Sequence, residues 1–288
     1  MIRVACLGPE GTVSHEALAA AATKANTELE PLFTPTIHHA VSAVSSGEAD
    51  YALVPLENSI EGGVAATLDA LLAGGGMTPI AGELTHPVRH RLVARPGVDV
   101  ERIEAIVSLP FVAEQCSDFL DREFPGIRLL PAASTADAVR TVASSKEPLA
   151  ALGSDLAADL YGCEVIGEDP GSAGNRTRFI WLAPSSDVGP PPGVDPTASG
   201  LTSLVFWGSG ADSPGWLVDC LAEFGQREVN LTRIESRPRR EGLGTYVFFA
   251  DVEGYVDEPS VREAVKALEA RADEVRLLGS YPSSIEPS

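Results

Sequence analysis

The stretch RVACLGPEGTVSHEALAAAATKA, residues 3–25, decides the fold class of the first part of the chain. Small apolar residues at its start predict a buried strand, glycines then free the backbone, and the alanine-rich remainder predicts a helix. The first N–H groups of such a helix favour an anion, and Thr12 and Ser14 add hydroxyl donors beside them. The same residues also fit an ordinary strand-to-helix turn with a Ser or Thr cap, so this stretch alone leaves a ligand site open.

The same alternation continues beyond residue 25. Strand-like runs such as YALVPL (51–56) and RIEAIVSL (102–109) are followed by the helical patterns VAATLDALLAG (64–74) and VAEQCSDFLDREF (112–124). A chain that alternates in this way predicts an α/β domain with mainly parallel strands. We assign residues 1–184 to this domain.

A segment rich in Pro, Gly, Ser and Asp, PSSDVGPPPGVDPTASG, follows at residues 184–200 and predicts a linker. The next 82 or so residues read as strand, helix, strand, strand, helix, strand, which is the order of a ferredoxin-like βαββαβ unit. We therefore predict a linker at 185–200, a second domain at 201–282 and a short tail at 283–288.

Composition excludes several classes of protein. The 288 residues carry a formal net charge of −20, which argues against nucleic acid and anionic lipid surfaces as partners. The chain has no apolar run of about 18 residues for a membrane span, and its first apolar stretch is too short for a secretory signal. The four cysteines form no C-x-x-C pair, and Pro87 separates His86 from His90, so no metal site is predicted. We expect a cytoplasmic protein.

A second strand-to-helix junction, VPLENSIEGGVAATLDAL (54–71), places Glu57, Asn58 and Ser59 after an apolar strand. Ligands bind at the carboxyl ends of the strands in α/β sheets, and two such junctions in one domain favour a shared cleft. Turn and cap chemistry is again the alternative interpretation.

The segment GNRTRF (174–179) begins another apolar strand. Strand alternation places the side chains of Thr177 and Arg178 on opposite faces. A planar guanidinium suits a carboxylate ligand, so one arginine is a candidate for the cleft, whereas a surface turn with solvated arginines is the alternative. Phe179 is expected to pack in the core.

Five of these segments resemble the prephenate dehydratase family in both order and spacing: GPEGT (8–12), VPLENSIEGGV (54–64), SLPFVAEQC (108–116), STADA (134–138) and NRTRF (175–179). Two segments of the second unit, ESRP (235–238) and LGSYP (278–282), resemble its regulatory ACT domain. The resemblance spans about residues 3–282 and implies a monofunctional form. It also implies a catalytic domain of two lobes, similar to periplasmic binding proteins, with the active site between them.

The family reaction converts prephenate to phenylpyruvate, water and carbon dioxide. Aromatisation drives this reaction, so neither a redox cofactor nor a metal is needed. By resemblance, Thr177 is the essential threonine that acts on the leaving hydroxyl, and Glu57 is a second candidate acid if its carboxyl is held protonated in a dry cleft. The candidate substrate-binding residues are Arg178, Asn58, Ser59, Thr12 and Asn175.

The resemblance also implies that L-phenylalanine binds the ACT domain and inhibits the enzyme. The candidate effector-binding residues are Gly215, Trp216, Leu217, Asn230, Glu235 and Ser236; the family usually has alanine where this chain has Trp216. Ferredoxin-like units expose sheet edges and often pair, so a homo-oligomer, dimer or tetramer, is expected. Two alternatives remain at this point: an arogenate dehydratase, and a binding protein that senses amino acids without catalysis.

Overall fold

A computed structural model describes residues 1–74, 78–167, 170–171, 174–186 and 188–283. Most of the predicted tail, residues 284–288, and one residue of the predicted linker lie outside the described residues. The described residues form three β-sheets, two in the first part of the chain and one after residue 200.

The chain builds most of the first lobe before it enters the second. The first-lobe elements are β1 (Ile2–Leu7), α1 (Val13–Ala25), β2 (Leu29–Thr34), α2 (Ile37–Ser45), β3 (Tyr51–Asn58), β4 (Gly62–Gly63), α3 (Ala65–Ala73) and β5 (Ile80–Pro87). The second-lobe elements are β6 (Arg91–Ala94), β7 (Ala105–Ser108), α4 (Pro110–Gln115), α5 (Ser117–Glu123), β8 (Arg128–Pro131), α6 (Thr135–Ser144), β9 (Leu149–Gly153), α7 (Asp155–Tyr161) and β10 (Glu164–Val165). The chain then returns to the first lobe as β11 (Arg176–Leu182).

Both sheets of this part are mixed, whereas the sequence predicts mainly parallel strands. The first sheet has the order β2-β1-β3-β11-β5, with β4 paired to β3, and the second has the order β10-β6-β9-β7-β8. The returning strand β11 is antiparallel to both β3 and β5, and β6 is antiparallel to β9. The β5–β11 pair is antiparallel because β5 leads the chain out of the first lobe and β11 leads it back.

The third sheet is formed by residues 200–282. Its elements are β12 (Gly200–Trp207), α8 (Trp216–Gly225), β13 (Leu231–Pro238), β14 (Tyr246–Glu253), α9 (Pro259–Glu269) and β15 (Glu274–Pro282). The strand order β13-β14-β12-β15 confirms the predicted ferredoxin-like βαββαβ unit.

One face of this third sheet packs directly on the first lobe. The shared core includes Val205, Phe249 and Tyr281 from the third sheet, and Ile180 and Leu182 from β11. The opposite face of β11, with Phe179 and Trp181, packs with residues of α1. Alternate residues of β11 therefore lie on two faces: Phe179 and Trp181 on the face toward α1, and Ile180 and Leu182 on the face toward the third sheet.

Candidate active site

A cleft of about 540 Å³ lies between the two lobes. It is lined by the ends of β1, β3 and β11 from the first lobe and by the first turns of α4 and α6 from the second. Two of the predicted site residues, Asn58 and Thr177, meet on its first-lobe wall because they are direct partners in the β3–β11 pair. Thr12 and Asn175 also line the cleft.

The hydrogen bonds of Asn58 fix the direction of its amide. Its Oδ1 accepts from the backbone N–H groups of Ile60 and Glu61 at 2.9 and 3.0 Å. Its Nδ2 therefore donates, to Thr177 Oγ1 at 2.9 Å and to Asn175 Oδ1 at 2.8 Å. Because Thr177 Oγ1 accepts from Asn58, the hydroxyl proton of Thr177 is available for another acceptor.

The network continues across the cleft to the second lobe. Asn175 Nδ2 donates to Gln115 Oε1 at 3.2 Å, and Gln115 Nε2 donates to Glu61 Oε1 at 2.6 Å. Since Gln115 Oε1 acts as an acceptor, the His90 Nε2 that lies 3.1 Å away carries a proton. Asn58 therefore donates to Asn175, Asn175 donates to Gln115, and Gln115 donates to the Glu61 carboxylate, where this chain of hydrogen bonds ends.

Sequence reasoning did not assign Gln115, His90 or Glu61 to the site. Gln115 lies at the end of α4, His90 follows the crossover from β5, and Glu61 sits in the turn after β3. Glu61 and Gln115 do lie in two of the segments that resemble the family, 54–64 and 108–116, which is the signal that could have found them. His90 has no such signal beyond its position beside a strand end.

The cleft offers neutral donors for anions. The described residues that line it include no Lys or Arg, but they include the N-termini of α1 and α6. The Thr12 hydroxyl donates to Leu7 O at 3.0 Å, so it does not cap α1. The N-terminal N–H groups of α1 are thus left for other partners, beside the buried Ser14. Thr135 is similarly buried at the start of α6.

Ser59 has a structural position. Its Oγ accepts from the Arg176 backbone N–H at 3.0 Å and lies 3.5 Å from Gly174 O, on the exposed side of the β3–β11 junction. The described lining of the cleft does not include Ser59, so these contacts favour a role in holding the two strand ends together.

The predicted roles of Arg178 and Glu57 require correction. These two residues are direct partners in the strand pair, one position beyond Thr177 and Asn58, and therefore lie on the opposite face. Arg178 is buried against the third sheet, and the carboxylate of Glu57 lies 3.6 Å from Arg233 Nε of β13. Neither lines the cleft, so we withdraw Arg178 as a substrate ligand and Glu57 as the acid.

The predicted effector residues fall into separate places. Trp216 begins α8, where its indole packs on Phe206 and Phe248 and donates to Arg271 O at 3.1 Å. Ser236 is the strand partner of Phe248, so it lies beside the rings of Trp216, Phe206 and Phe248. Gly215 and Leu217 flank Trp216 at the start of α8 and therefore lie near the same rings.

Two of the effector predictions lie elsewhere. Asn230 is at the other end of β13, about 20 Å from Ser236 at the usual rise per strand residue. Glu235 faces the first lobe, where it pairs with Arg233 and lies so close to Gly63 that a Cβ there would collide with its carboxylate. The placement of Glu235 within one chain therefore does not support the prediction that it binds the effector.

A separate polar contact holds the lobes together behind the cleft. Glu16 of α1 is buried beside Ser154 and the first turn of α7, and His86 Nε2 lies 3.9 Å from its carboxylate. Burial raises the pKa of Glu16 above its ordinary value of 4.5, in spite of the hydrogen bond from Ser154. Burial lowers the pKa of His86, so this imidazole does not supply a full positive charge near neutral pH.

The Glu16→Gln variant should therefore differ from the wild type in its pH dependence. A raised carboxyl pKa means that the folded state favours the proton, so the wild type loses stability as pH rises from 4.5 through the folded-state pKa. The glutamine variant carries no charge there, so its Tm relative to the wild type should rise between about pH 4 and pH 7. A constant Tm difference over this range would contradict the burial argument.

The described residues contain neither a cluster of metal ligands nor a helix that could span a membrane. No three His, Cys, Asp or Glu side chains in the described ranges lie together as metal ligands. Within the same residues, no helix has the length and apolar character needed to span a bilayer.

Comparison with known proteins places this geometry in a family. A model described as prephenate dehydratase matches residues 4–187, and a model described as ACT domain matches residues 209–270. A prephenate dehydratase of Mycobacterium marinum is 41% identical over 290 residues, covering 98% of this chain and 89% of that protein.

Solved structures agree with this comparison. The prephenate dehydratase of Arthrobacter aurescens in complex with L-Phe is 35% identical, with a TM-score of 0.85 over 98% of this chain and 90% of that one. A protein described as a novel type of quorum-quenching acylase is 28% identical, with a TM-score of 0.84 over 98% of both chains. On the family match and the 41% identity, the chain belongs to the prephenate dehydratase family.

Proposed function

We infer that the chain converts prephenate to phenylpyruvate, water and carbon dioxide. The observation that carries this inference is the Thr177 hydroxyl, which receives a hydrogen bond from Asn58 at 2.9 Å and keeps its own proton available at the wall of the interlobe cleft. A neutral hydroxyl donor in a cleft without described Lys or Arg residues suits the departure of a hydroxide from a dianionic substrate.

The bond changes follow from the substrate. The C–C bond to the ring carboxylate breaks, CO₂ leaves, and its electron pair enters the ring as the C–O bond breaks on the opposite side. The departing hydroxide takes the proton of Thr177 and leaves as water, and solvent restores the hydroxyl. A threonine hydroxyl is a weak acid, so the rate depends mainly on alignment and on fixed dipoles rather than on acid strength.

We place the two carboxylates of prephenate at the N-termini of α1 and α6, one on each lobe. Helix N-termini carry partial positive charge, and these two helices are long enough for the effect. No side chain caps α1, whereas Ser134 accepts from the Asp137 N–H at the start of α6, so in α6 the N–H groups of Thr135 and Ala136 are the candidate donors. The hydroxyls of Ser14 and Thr135 lie at these two positions and line the cleft. Substrate therefore joins the lobes.

The Ser14→Ala variant should raise KM for prephenate about tenfold and leave kcat within about threefold. We assign the side-chain carboxylate, which phenylpyruvate retains, to α1, so the Ser14 hydroxyl binds a group that stays bound through the reaction. A hydrogen bond to a charged group is worth roughly 1.5–3 kcal/mol. Steady-state kinetics check this, with Ser144→Ala at the exposed end of α6 as the control. An unchanged KM for Ser14→Ala would remove α1 from substrate recognition.

The test of the proposed function is direct. Purified protein is given prephenate and, separately, arogenate, and the keto acid or phenylalanine formed is measured. We expect turnover of prephenate with the higher kcat/KM. Glu61 favours arogenate as a second candidate, because its carboxylate lines the cleft and can pair with an ammonium group. A protein that turns over neither compound would leave only the binding-protein alternative.

We also propose that L-phenylalanine binds the ACT domain and inhibits, with residues 1–184 catalytic, 185–200 a linker and 201–282 regulatory. Gly215, Trp216, Leu217 and Ser236 lie near one end of β13, whereas Asn230 lies at the other end, so a single chain does not bring them together. Two copies paired along their β13 edges would place Asn230 of one copy by α8 of the other. Because one chain does not bring these residues together, we propose that the protein forms a homo-oligomer, a dimer or a tetramer.

The regulatory proposal has its own measurement. We expect phenylalanine to lower the rate of phenylpyruvate formation and to bind in calorimetry with one molecule per chain. Light scattering gives the oligomeric state. If Trp216→Ala binds phenylalanine more tightly than the wild type, the indole restricts the pocket; if binding is absent in both proteins, the effector assignment is wrong.

A further inference from the structure

Arg178 lies next to Thr177 in β11 and joins the catalytic strand to the ACT sheet. Its Nε donates to Glu83 Oε2 of β5 at 2.6 Å, and its Nη1 donates to Asp251 Oδ2 of β14 at 2.8 Å. Its Nη2 donates to the Tyr281 hydroxyl of β15 at 3.2 Å. Its Nη1 also lies 3.9 Å from Glu57 Oε2 of β3, so one planar guanidinium contacts four strands from two domains.

The partners of Arg178 are themselves held in place. Ser203 donates to Asp251 Oδ1 at 2.6 Å and lies 2.7 Å from the Tyr281 hydroxyl, and Ser283 donates to Glu83 Oε1 at 2.7 Å. The side chains of Glu83 and Asp251 are 0% and 3% exposed. A buried group of this kind has little freedom, because each carboxylate oxygen of Glu83 and Asp251 accepts a hydrogen bond and the two side chains are almost wholly removed from water.

The β3–β11 ladder is irregular at this point. Arg178 pairs with Glu57, but the next residue, Phe179, pairs with Pro55, so Leu56 has no partner in β11. A bulge bends the strand and re-aims the side chains beside it. The Thr177–Asn58 pair therefore lies beyond the irregularity on the β3 side, and the regular β3–β11 ladder from Phe179 to Leu182 does not by itself fix Thr177 relative to Asn58. On its other side β11 pairs with β5 without a register shift from Arg176 to Trp181, so the freedom that remains is between β11 and β3.

We propose that Arg178 is a positioning residue for Thr177, and that the ACT sheet is therefore part of the scaffold of the active site. The guanidinium anchors β11 on the face opposite the cleft, one residue from the reactive hydroxyl. Asp251 and Tyr281 supply the fixed end of this anchor from the ACT domain. The inference rests on the proposed function, since its readout is turnover of prephenate.

The test uses Arg178→Lys, which keeps the positive charge, and Tyr281→Phe, which keeps the shape of the ring. In Arg178→Lys the cation remains, but an ammonium does not reproduce the fork that reaches Glu83, Asp251 and Tyr281 together. We expect kcat to fall about tenfold, with KM within about twofold, because only the geometry of the transition state is disturbed. Tyr281→Phe removes one contact from the ACT side and should lower kcat by about twofold to fivefold in the same way.

The control is Arg237→Lys, which alters another interdomain ion pair, between Arg237 of β13 and Asp69 of α3 at 3.0 Å. It should keep the wild-type kcat, because neither residue belongs to β11. Equal losses in Arg178→Lys and Arg237→Lys would mean that any disturbance of docking lowers activity, and would overturn the proposal.

A double variant separates positioning from general stability. If Arg178 acts through Thr177, adding Arg178→Lys to Thr177→Ala should leave the residual rate of Thr177→Ala unchanged within about twofold. A further tenfold loss in the double variant would overturn the proposal, as would wild-type kcat in both Arg178→Lys and Tyr281→Phe. If Arg178→Lys does not fold, the same comparison is made with Tyr281→Phe. A wild-type protein without turnover of prephenate refutes the proposed function instead.

Discussion

Replacement of Thr177 by alanine should lower kcat for prephenate by about 10²–10³-fold, with KM within about threefold. The loss is in kcat because the hydroxyl acts on charge that develops only as the C–O bond breaks, and removal of one preorganised donor of this kind costs about that factor. Asn58 Nδ2 keeps its bond to Asn175 Oδ1 at 2.8 Å, so the cleft wall should stay intact.

Thr177→Ser is the matched control. It keeps the hydroxyl but loses the methyl group that restricts χ1, so it should retain activity within about tenfold of the wild type. Circular dichroism and Tm confirm that both variants are folded. Wild-type kcat in Thr177→Ala would exclude the hydroxyl from the reaction, and equal losses in Ala and Ser would point to the methyl contact rather than the proton.

Replacement of Asn58 by aspartate should lower kcat/KM by about 10³-fold or more. The acceptor that receives the Ile60 and Glu61 N–H groups is kept, so the turn after β3 should survive. The donor becomes an oxygen, which faces the acceptors Asn175 Oδ1 and Arg176 O and takes the Thr177 hydroxyl proton in a hydrogen bond, so that this proton is no longer available to substrate. It also adds a negative charge beside a dianion, and like charges in a partly dry cleft repel strongly.

This variant has a diagnostic pH dependence. Protonation of the new carboxyl restores a donor and removes the charge, so the activity of Asn58→Asp relative to the wild type should rise as pH falls. Asn26→Asp adds the same charge at the exposed end of α1 and should leave kcat/KM unchanged. A pH-independent ratio for Asn58→Asp would mean that the loss comes from distortion, not from the donor.

Strand alternation explains why Thr177 and Asn58 lie on the wall of the cleft while Arg178 and Glu57, also predicted for the site, lie on the opposite face. It places Thr177 and Arg178 on opposite faces, but it does not say which face meets the cleft. That choice depends on the docking of the third sheet on the first lobe, a contact between residues such as Arg178 and Asp251 that are 73 apart in the chain. A guanidinium near a strand end therefore looked like a ligand for substrate.

The sequence analysis also did not predict strand β2 or the hydrogen bonds that join Asn175, Gln115 and Glu61. Strand β2 contains Pro31, which normally argues against a strand, but β2 is at the edge of its sheet, where a missing N–H is tolerated. The Asn175–Gln115–Glu61 chain of hydrogen bonds joins residues 54 and 60 apart, so only the folded chain reveals it.

The placement of one helix N-terminus on each lobe of the cleft has a consequence for the end of the catalytic cycle. Prephenate has two carboxylates, and in the proposed arrangement each is held by a helix from a different lobe. Phenylpyruvate retains one carboxylate, because the other has left as CO₂. In this arrangement the product is bound through its carboxylate to one lobe alone, so the loss of CO₂ removes the link that the substrate made between the two lobes.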